Sequence, residues 1–361
     1  MKIGVLGSGQ LGRMLALSAY PLGHEMRFLA LSEEDPSSLL GKTFIHNDDP
    51  NIIKSFAESS DVVTYESENT DVNIVNEISL NTGVYPSEKS LYISQHRGRE
   101  KALFDKLNIP CAPYEMINNL DDLKSAVYKI GLPAILKTAT DGYDGKGQFL
   151  INSESQLLEA WKSMSGSESI LEGFVKFKRE LSLIAVRGVD GNLEYYPLVE
   201  NSHYEGILRL TIAPANNINK TLQKKAEDYM SLILKEINHV GVLTIELFET
   251  EDNLIVNEMA PRVHNSGHWT ISGSNISQFE SHILAISNLP LKEIKTPKYS
   301  GMINILSKMP DINKIEKIGV SNIFNYGKSE RPNRKLGHIT ITCSDKKLLI
   351  EKIDEISKIL Y

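Results

Sequence analysis

Three features predict an α/β and α+β chain. Short apolar runs alternate with helical stretches from the amino terminus to about residue 97. Two further apolar runs, Val242 to Phe248 and one beginning at Ile255, flank the polar turn Glu249-Thr-Glu-Asp-Asn253 and predict a β-hairpin. A length of 361 residues is enough for two or three domains with a substantial core.

The elements follow in order. Lys2 to Leu6 is a buried strand, Leu11 to Tyr20 a helix ended by Pro21 and Gly23, and Met26 to Ala30 a second strand. Asp61 to Tyr65 is a third strand, followed by a helix from Val72 to Leu80. This alternation implies a parallel sheet covered on both faces. One long amphipathic helix, Ser90 to Leu107, leads into Pro110 and Pro113. Strands are predicted at Ala134 to Thr138, Gln148 to Ile151 and Ser169 to Glu172, with a helix from Glu154 to Met164. Three more fall near Glu180 to Arg187, Leu193 to Val199 and Leu208 to Ala213. A helix from Thr221 to Ile237 precedes the hairpin, and short strands (302–306, 339–342) and a helix from Lys346 to Leu360 close the chain. The predicted units are 1–97, 98–290 with a lid at about 110–172, and 291–361.

Composition excludes several classes. Hydrophobic content of 41% and charged content of 24% are those of an ordinary globular protein. A net charge of -7 and the lack of a Lys/Arg tract argue against a nucleic-acid partner. No apolar run approaches the roughly 20 residues of a membrane span. Cys111 and Cys343 are the only cysteines, and the first residues lack a signal-peptide layout, so a cytoplasmic, reducing setting is expected.

Three constellations and the hairpin carry chemistry. Gly7-Ser8-Gly9-Gln10-Leu11-Gly12, between a strand and a helix, offers backbone N–H groups to an anion. It matches the dinucleotide fingerprint, with Glu33 or Glu34 near strand two for a ribose, but that is weak evidence for NAD; the turn is read first as a site for a phosphorylated substrate, ahead of a purely structural turn. Lys137 lies in an apolar strand and needs an anionic partner. The tract Asp141-Gly142-Tyr143-Asp144-Gly145-Lys146-Gly147 after it has the composition of a lid over phosphates. Glu172-Gly173-Phe174-Val175 has the size to bracket an adenine, and Glu180 can accept from ribose hydroxyls. On the hairpin, Glu246 and Glu258 are lone carboxylates in apolar runs. Facing each other, they call for a cation, and with phosphates nearby for Mg2+.

In this order, a strand lysine, a Gly-rich lid, Glu-x-x-Val, Arg-Glu-Leu-Ser and two hairpin carboxylates resemble the ATP-grasp enzymes. Within that superfamily, Gly7 to Met14, Gly142 to Gln148 and Asn257-Glu-Met-Ala-Pro-Arg-Val-His-Asn-Ser-Gly-His-Trp269 resemble the N5-carboxyaminoimidazole ribonucleotide synthetases of purine biosynthesis. Tyr196 to Asn201, Gly206 to Arg209 and Arg331 to His338 match as well, so the resemblance spans essentially the whole chain. It implies an ATP-grasp fold with a Rossmann-like first domain and a small carboxy-terminal α/β domain.

The resemblance further implies a ligase that couples ATP, bicarbonate and aminoimidazole ribonucleotide through carboxyphosphate. ATP would be bound by Arg97, Lys137, Gly142 to Gln148, Glu172 to Val175, Glu180, His203, Asn257 and Glu258. One or two Mg2+ ions, or Mn2+, would sit on Glu246 and Glu258. Tyr143 and Asp144 would meet the ribonucleotide, with Asp144 taking a proton from its amine, and Arg262 would spread phosphoryl charge. His264 and Asn265 would line the junction of the two half-sites, and zinc on His264 and His268 is not expected. Arg331 and Lys335 with Gly7, Ser8, Gly9 and Gln10 would hold the 5'-phosphate, and a homodimer is expected. Two positions depart from the family pattern: Asp141 in place of a glycine, and Gly173 in place of a bulkier polar residue. The alternatives are another ATP-grasp ligase or formyl transferase acting on a different phosphoribosyl amine, an NAD-dependent oxidoreductase, and an ATP-binding module without catalysis.

Overall fold

The computed structural model of the protein describes residues 1–46, 49–142 and 147–361. Statements of number below refer to these residues. The first sheet contains β1 (Lys2–Leu6), β2 (Glu25–Ala30), β3 (Lys42–Ile45), β4 (Val62–Tyr65) and β5 (Gly83–Val84). All pairs are parallel and the order is β3-β2-β1-β4-β5, that of the first five strands of a Rossmann sheet. Helices α1 (Gln10–Ala19), α2 (Pro50–Glu58) and α3 (Val72–Ser79) accompany these strands. Pleat alternation in β1 sends Ile3 and Val5 into one core with Met14, Leu15 and Phe28, and Leu6 into another with Phe56 and Val63.

The single helix predicted from Ser90 to Leu107 is two: α4 (Glu88–Ser94) and α5 (Arg97–Lys106). His96 leaves helical geometry at φ -136°, ψ 115°, and its imidazole accepts from the N–H groups of Gly98 and Arg99. A side-chain cap thus restarts the helix at Arg97, a break that apolar periodicity does not register.

A four-stranded antiparallel sheet follows, ordered β6-β9-β7-β8, from β6 (Tyr114–Ile117), β7 (Ala134–Thr138), β8 (Gln148–Ile151) and β9 (Ser169–Gly173). Its core includes Leu123 and Val127 of α6 (Leu120–Ile130) and Leu157 and Ala160 of α7 (Leu157–Ser163).

The central sheet has nine strands: β10 (Arg179–Arg187), β11 (Leu193–Tyr195), β12 (Val199–Tyr204), β13 (Ile207–Ala213), β14 (Gly241–Glu249), β15 (Leu254–Ala260), β16 (Tyr299–Leu306), β17 (Asn322–Asn325) and β18 (Lys335–Cys343). The strand predicted from Leu193 to Val199 is therefore split between β11 and β12. The carboxy-terminal strands do not form a sheet of their own, because β16 pairs directly with β13. Helix α8 (Lys220–Glu236) shares a core with β10, β14 and β15. On the other side lie the short α9 (Thr270–Gly273) and α10 (Gln278–Ile286), every residue of α10 apart from the half-buried Glu280 being buried. Burial nearly all round erases the amphipathic stripe by which a helix is recognised, so α10 goes unpredicted. Helices α11 (Ile312–Lys317) and α12 (Lys346–Leu360) complete the chain.

One core ties the first sheet to the central one: Leu15 and Ala19 of α1 belong to the same cluster as Phe279 and Ile283 of α10 and Trp269. His282 adds a polar tie, placed 2.9 Å from the Thr64 hydroxyl while its other nitrogen accepts from the Val242 N–H. The lower end of α5 is anchored by Phe104, fully buried in the core of Leu181, Ile245 and Val256. Phe104→Ala is expected to cost about 3–5 kcal/mol, read as a lowered denaturation midpoint; a loss below ~1 kcal/mol would show that α5 is held by its polar contacts instead.

Candidate active site

The site is a cavity of about 720 Å³ bounded by the start of α1, the loop after β4, helix α5, the β7–β8 hairpin and the central sheet. Each of the three β-bulges of the central sheet adjoins a residue that lines it. The β12–β13 register slips at His203, the β14–β15 register at Asn257 and the β16–β18 register near Lys335. A bulge turns a side chain away from the ordinary pleat, which is how a sheet aims functional groups.

Glu246 and Glu258 face each other in register across β14 and β15. Burial and the charge of Glu258 push the Glu246 carboxyl up to about 7. Burial also acts on Glu258, but Arg97 and Lys137 outweigh it and hold its carboxyl below the usual range. Arg97 donates to Glu258 at 2.7 Å. His264 places Nε2 3.4 Å from Glu246, and burial followed by the charges of Arg262 and Lys335 drives its imidazole down to about 3, leaving it neutral. His203, 2.6 Å from Glu180, goes the other way: that hydrogen bond and Glu246 raise it against the effect of burial.

The predicted nucleotide residues separate into two sets. Arg97, Lys137, Gly142, Gln148, Glu180, His203, Asn257 and Glu258 line the cavity; Gly147 and Glu172 to Val175 lie outside its wall. The partner that Lys137 needs is Glu172 at 2.8 Å, and Lys101 approaches the same carboxylate at 3.5 Å. Burial alone would raise Glu172, but the two ammonium groups hold it at about 2. The Gly173 N–H is committed to Pro113 and that of Phe174 to Pro133. A Cβ on Gly173 would come within 2.8 Å of Pro113, which accounts for glycine in place of a bulkier residue. Asp141 adopts φ +59°, a left-handed conformation that glycine, Asn and Asp tolerate best, so the two residues are interchangeable there for backbone reasons. Tyr143, Asp144, Gly145 and Lys146 fall outside the described residues.

The turn after β1 already holds an anion of the protein's own. Glu66 accepts from the N–H groups of Gly9 and Gly12 at 2.5 and 2.6 Å, and a Cβ on Gly7, at φ +105°, would meet its carboxyl group at 2.6 Å. The glycines therefore serve this internal contact, while the Ser8 hydroxyl bonds Asp35. Gln10 alone of Gly7, Ser8, Gly9 and Gln10 reaches the cavity, and it accepts from Lys328. Burial lowers the Lys328 ammonium, as do Arg334, Arg331 and Lys335, so these four cations share one neighbourhood. Lys335 lines the cavity and Arg331 is exposed beyond it.

Arg262 grips Glu68 through two nitrogens, Nη2 to Oε1 at 2.7 Å and Nε to Oε2, and donates Nη1 to the Val263 carbonyl. His264 and Asn265 line the cavity as well. Gln278 bonds both backbone groups of His264, and Asn265 exchanges amide hydrogen bonds with Asn304 at 3.0 and 2.6 Å. His268 is buried against Gln278 and the His338 ring. Sequence reasoning missed Glu66, Glu68, Glu100, Lys101, Lys328 and the stacked Phe177–Phe248 pair, whose centroids are 4.6 Å apart. The Glu66-Ser-Glu68 pair directly after an apolar strand was a signal available in the sequence.

Glu172 yields a prediction. Its folded pKa of about 2 lies below the ordinary 4.5, so its stabilisation is present above about 4.5 and is lost as pH falls toward 2. Glu172→Gln is expected to lose on the order of 3 kcal/mol at neutral pH and to flatten the pH dependence in that window. Unfolding midpoints of both proteins across the window check this; parallel curves would refute it.

Residues 1–95 match the ribonucleotide synthetase preATP-grasp domain, 102–279 the ATP-grasp domain and 300–352 the phosphoribosylaminoimidazole carboxylase C-terminal domain. The N5-carboxyaminoimidazole ribonucleotide synthase of Pseudomonas aeruginosa is 41% identical over 362 residues, covering 100% of this chain and 99% of that protein. That of Bacillus subtilis is 39% identical, covering 94% and 90%. The crystal structure of the N5-carboxyaminoimidazole ribonucleotide synthetase of Thermus thermophilus superposes with a TM-score of 0.95 at 43% identity, covering 99% of this chain and 98% of that one. The Aspergillus clavatus enzyme, solved with ADP and 5-aminoimidazole ribonucleotide, gives 0.90 at 30% identity with the same coverage. By sequence, fold and domain order, the chain belongs to the N5-carboxyaminoimidazole ribonucleotide synthetase family of ATP-grasp ligases.

Proposed function

We propose that this protein carboxylates 5-aminoimidazole ribonucleotide with bicarbonate at the expense of ATP, giving N5-carboxyaminoimidazole ribonucleotide, ADP and phosphate in purine biosynthesis. The observation that carries the reading is the single cavity that joins Lys137 and Glu258 at one end to Gln10 and Lys335 at the other. One continuous cleft then receives both the phosphates of a nucleotide and a phosphorylated acceptor.

The chemistry has two steps. A bicarbonate oxygen attacks the γ-phosphorus of ATP and ADP leaves, giving carboxyphosphate. The exocyclic amine of the ribonucleotide then bonds the carboxyl carbon, directly or as released CO2, while phosphate departs and the amine gives up a proton. Lys137 and Arg97 supply positive charge where the phosphoryl group transfers. His264, neutral beside Glu246, can offer a hydrogen bond without adding a charge. Asp144 is the proposed acceptor of the amine proton and Tyr143 a contact to the ribonucleotide, both in the lid that shields the intermediate from water. Gln10, Lys335 and Arg331 hold the 5'-phosphate, joined by Lys328. The Phe174 carbonyl and the Val175 amide remain for the adenine, and Glu180 for the ribose.

The carboxylate pair suits Mg2+, or Mn2+. Glu246 is raised by burial and then by its neighbour's charge, a repulsion that a divalent cation relieves, and oxygen-only ligation completed by phosphates matches the preference of such an ion. When bound, the ion would neutralise charge on the phosphates. A homodimer and a cytoplasmic setting belong to the same reading.

Release of ADP from ATP, Mg2+ and bicarbonate is expected to rise strongly when aminoimidazole ribonucleotide is added and to ignore glycinamide ribonucleotide with formate. The reverse preference would reassign the acceptor. Glu258→Gln is expected to reduce ADP formation at least a hundredfold, roughly the loss of one charge-stabilising group, with circular dichroism unchanged; undiminished turnover sinks the cation assignment. Lys335→Ala is expected to raise KM for the ribonucleotide about tenfold, as for one charged hydrogen bond, while KM for ATP stays within about twofold. An unchanged ribonucleotide KM would move the phosphate site elsewhere.

A further inference from the structure

The first turns of α5 hold three successive residues of β15. Arg97, Glu100 and Lys101 stand at i, i+3 and i+4, so they share one face of the helix. Arg97 donates to the Glu258 carboxylate at 2.7 Å, Lys101 donates to the Asn257 carbonyl at 2.8 Å, and Glu100 accepts from the Met259 N–H at 2.5 Å. The backbone on either side of Glu258 is thus fixed by side chains of one helix.

The register of the hairpin explains why a cation is needed beneath it. Glu246 pairs with Glu258 but Leu247 pairs with Val256, which leaves Asn257 as the extra residue of a bulge. A carbonyl turned out of the ladder in a buried place requires another donor. Lys101 is 1% exposed and does not line the cavity, so it meets neither nucleotide nor acceptor there. Its second contact is Glu172, which also holds Lys137.

We infer that Lys101 is a positioning residue: by holding the bulged Asn257 carbonyl it aims Glu258 toward Glu246 and so sets the affinity of the site for a divalent cation. The inference rests on the reading of Glu246 and Glu258 as cation ligands. Lysine suits the position because a compact ammonium can serve both a carbonyl and a carboxylate within the protein interior.

Calorimetric titration with ADP, in EDTA and in Mg2+, tests this without turnover, because the ratio of the two affinities measures the contribution of the cation. Lys101→Met is expected to cut that ratio about tenfold, as for one buried hydrogen bond from a charged donor. Lys101→Gln keeps a donor for Asn257 but no charge for Glu172, and is expected to hold the ratio within about threefold of the parent while weakening ADP in EDTA. Circular dichroism checks the fold of each, and if Lys101→Met does not fold, Lys101→Leu takes its place with the same expected loss. A full ratio in Lys101→Met overturns the inference, as does a collapsed ratio in Lys101→Gln, which would assign the effect to Glu172. Glu258→Gln separates the two levels: if it keeps the parent's ratio, the cation reading itself fails and the inference falls with it. If it loses the ratio while Lys101→Met keeps it, the inference alone fails.

Discussion

Two carboxylates opposed on neighbouring strands, Glu246 and Glu258, repel each other, and the buried cations around the cavity answer that repulsion. Like charges opposite each other destabilise a sheet, so the pair persists only with cations arranged around it. Arg97 meets Glu258 directly, Lys137 contributes its charge from the neighbouring sheet, and Glu246 sits high enough to carry a proton near neutral pH. These cations come from outside the hairpin: α5 restarts at Arg97 because His96 caps it, and Lys137 lies in the four-stranded sheet.

The same requirement spreads outward through further ion pairs. Lys137 binds Glu172, Glu172 accepts Lys101, and Lys101 returns to the hairpin at Asn257. Arg262, which follows β15, is held by Glu68 from the loop after β4, so the parallel-sheet unit reaches into the wall of the cavity. Breaking any one member leaves a buried charge without its partner, which is more damaging than the absence of the pair altogether. Such a closed set of charges keeps its geometry only when the three sheets are held firmly, and the shared core of α1, α10 and Trp269 ties the first of them to the central one.

The amino-terminal turn illustrates how a motif is reassigned by its surroundings. Gly7-Ser-Gly-Gln-Leu-Gly12 offers amides to an anion, and an anion is there, but it is the side chain of Glu66. With the turn satisfied internally, Gln10 faces the cavity, linked to Lys328. A phosphate in this region would meet side chains from the loop before β18 more than the backbone of the turn.

The sequence by itself determined the classes of element and the chemistry of the site. Alternating apolar runs identified the parallel unit, the polar turn identified the hairpin, and the lone carboxylates and the strand lysine stood out because an ion in an apolar run requires a partner. Order and spacing then sufficed for the family resemblance. Tertiary structure alone decided the partners. Glu172 became a counter-ion for two lysines, Glu66 an occupant of the glycine turn, and Lys101 and Lys328 the cations that hold Asn257 and Gln10, through contacts between residues 35 to 318 positions apart. It also decided that the carboxy-terminal strands join the central sheet and that the helix before Leu107 breaks at His96. Periodicity reports which face of an element is buried; it says nothing of which distant charge lies opposite, because ion pairing and bulge register are settled only when sheets and helices close on one another.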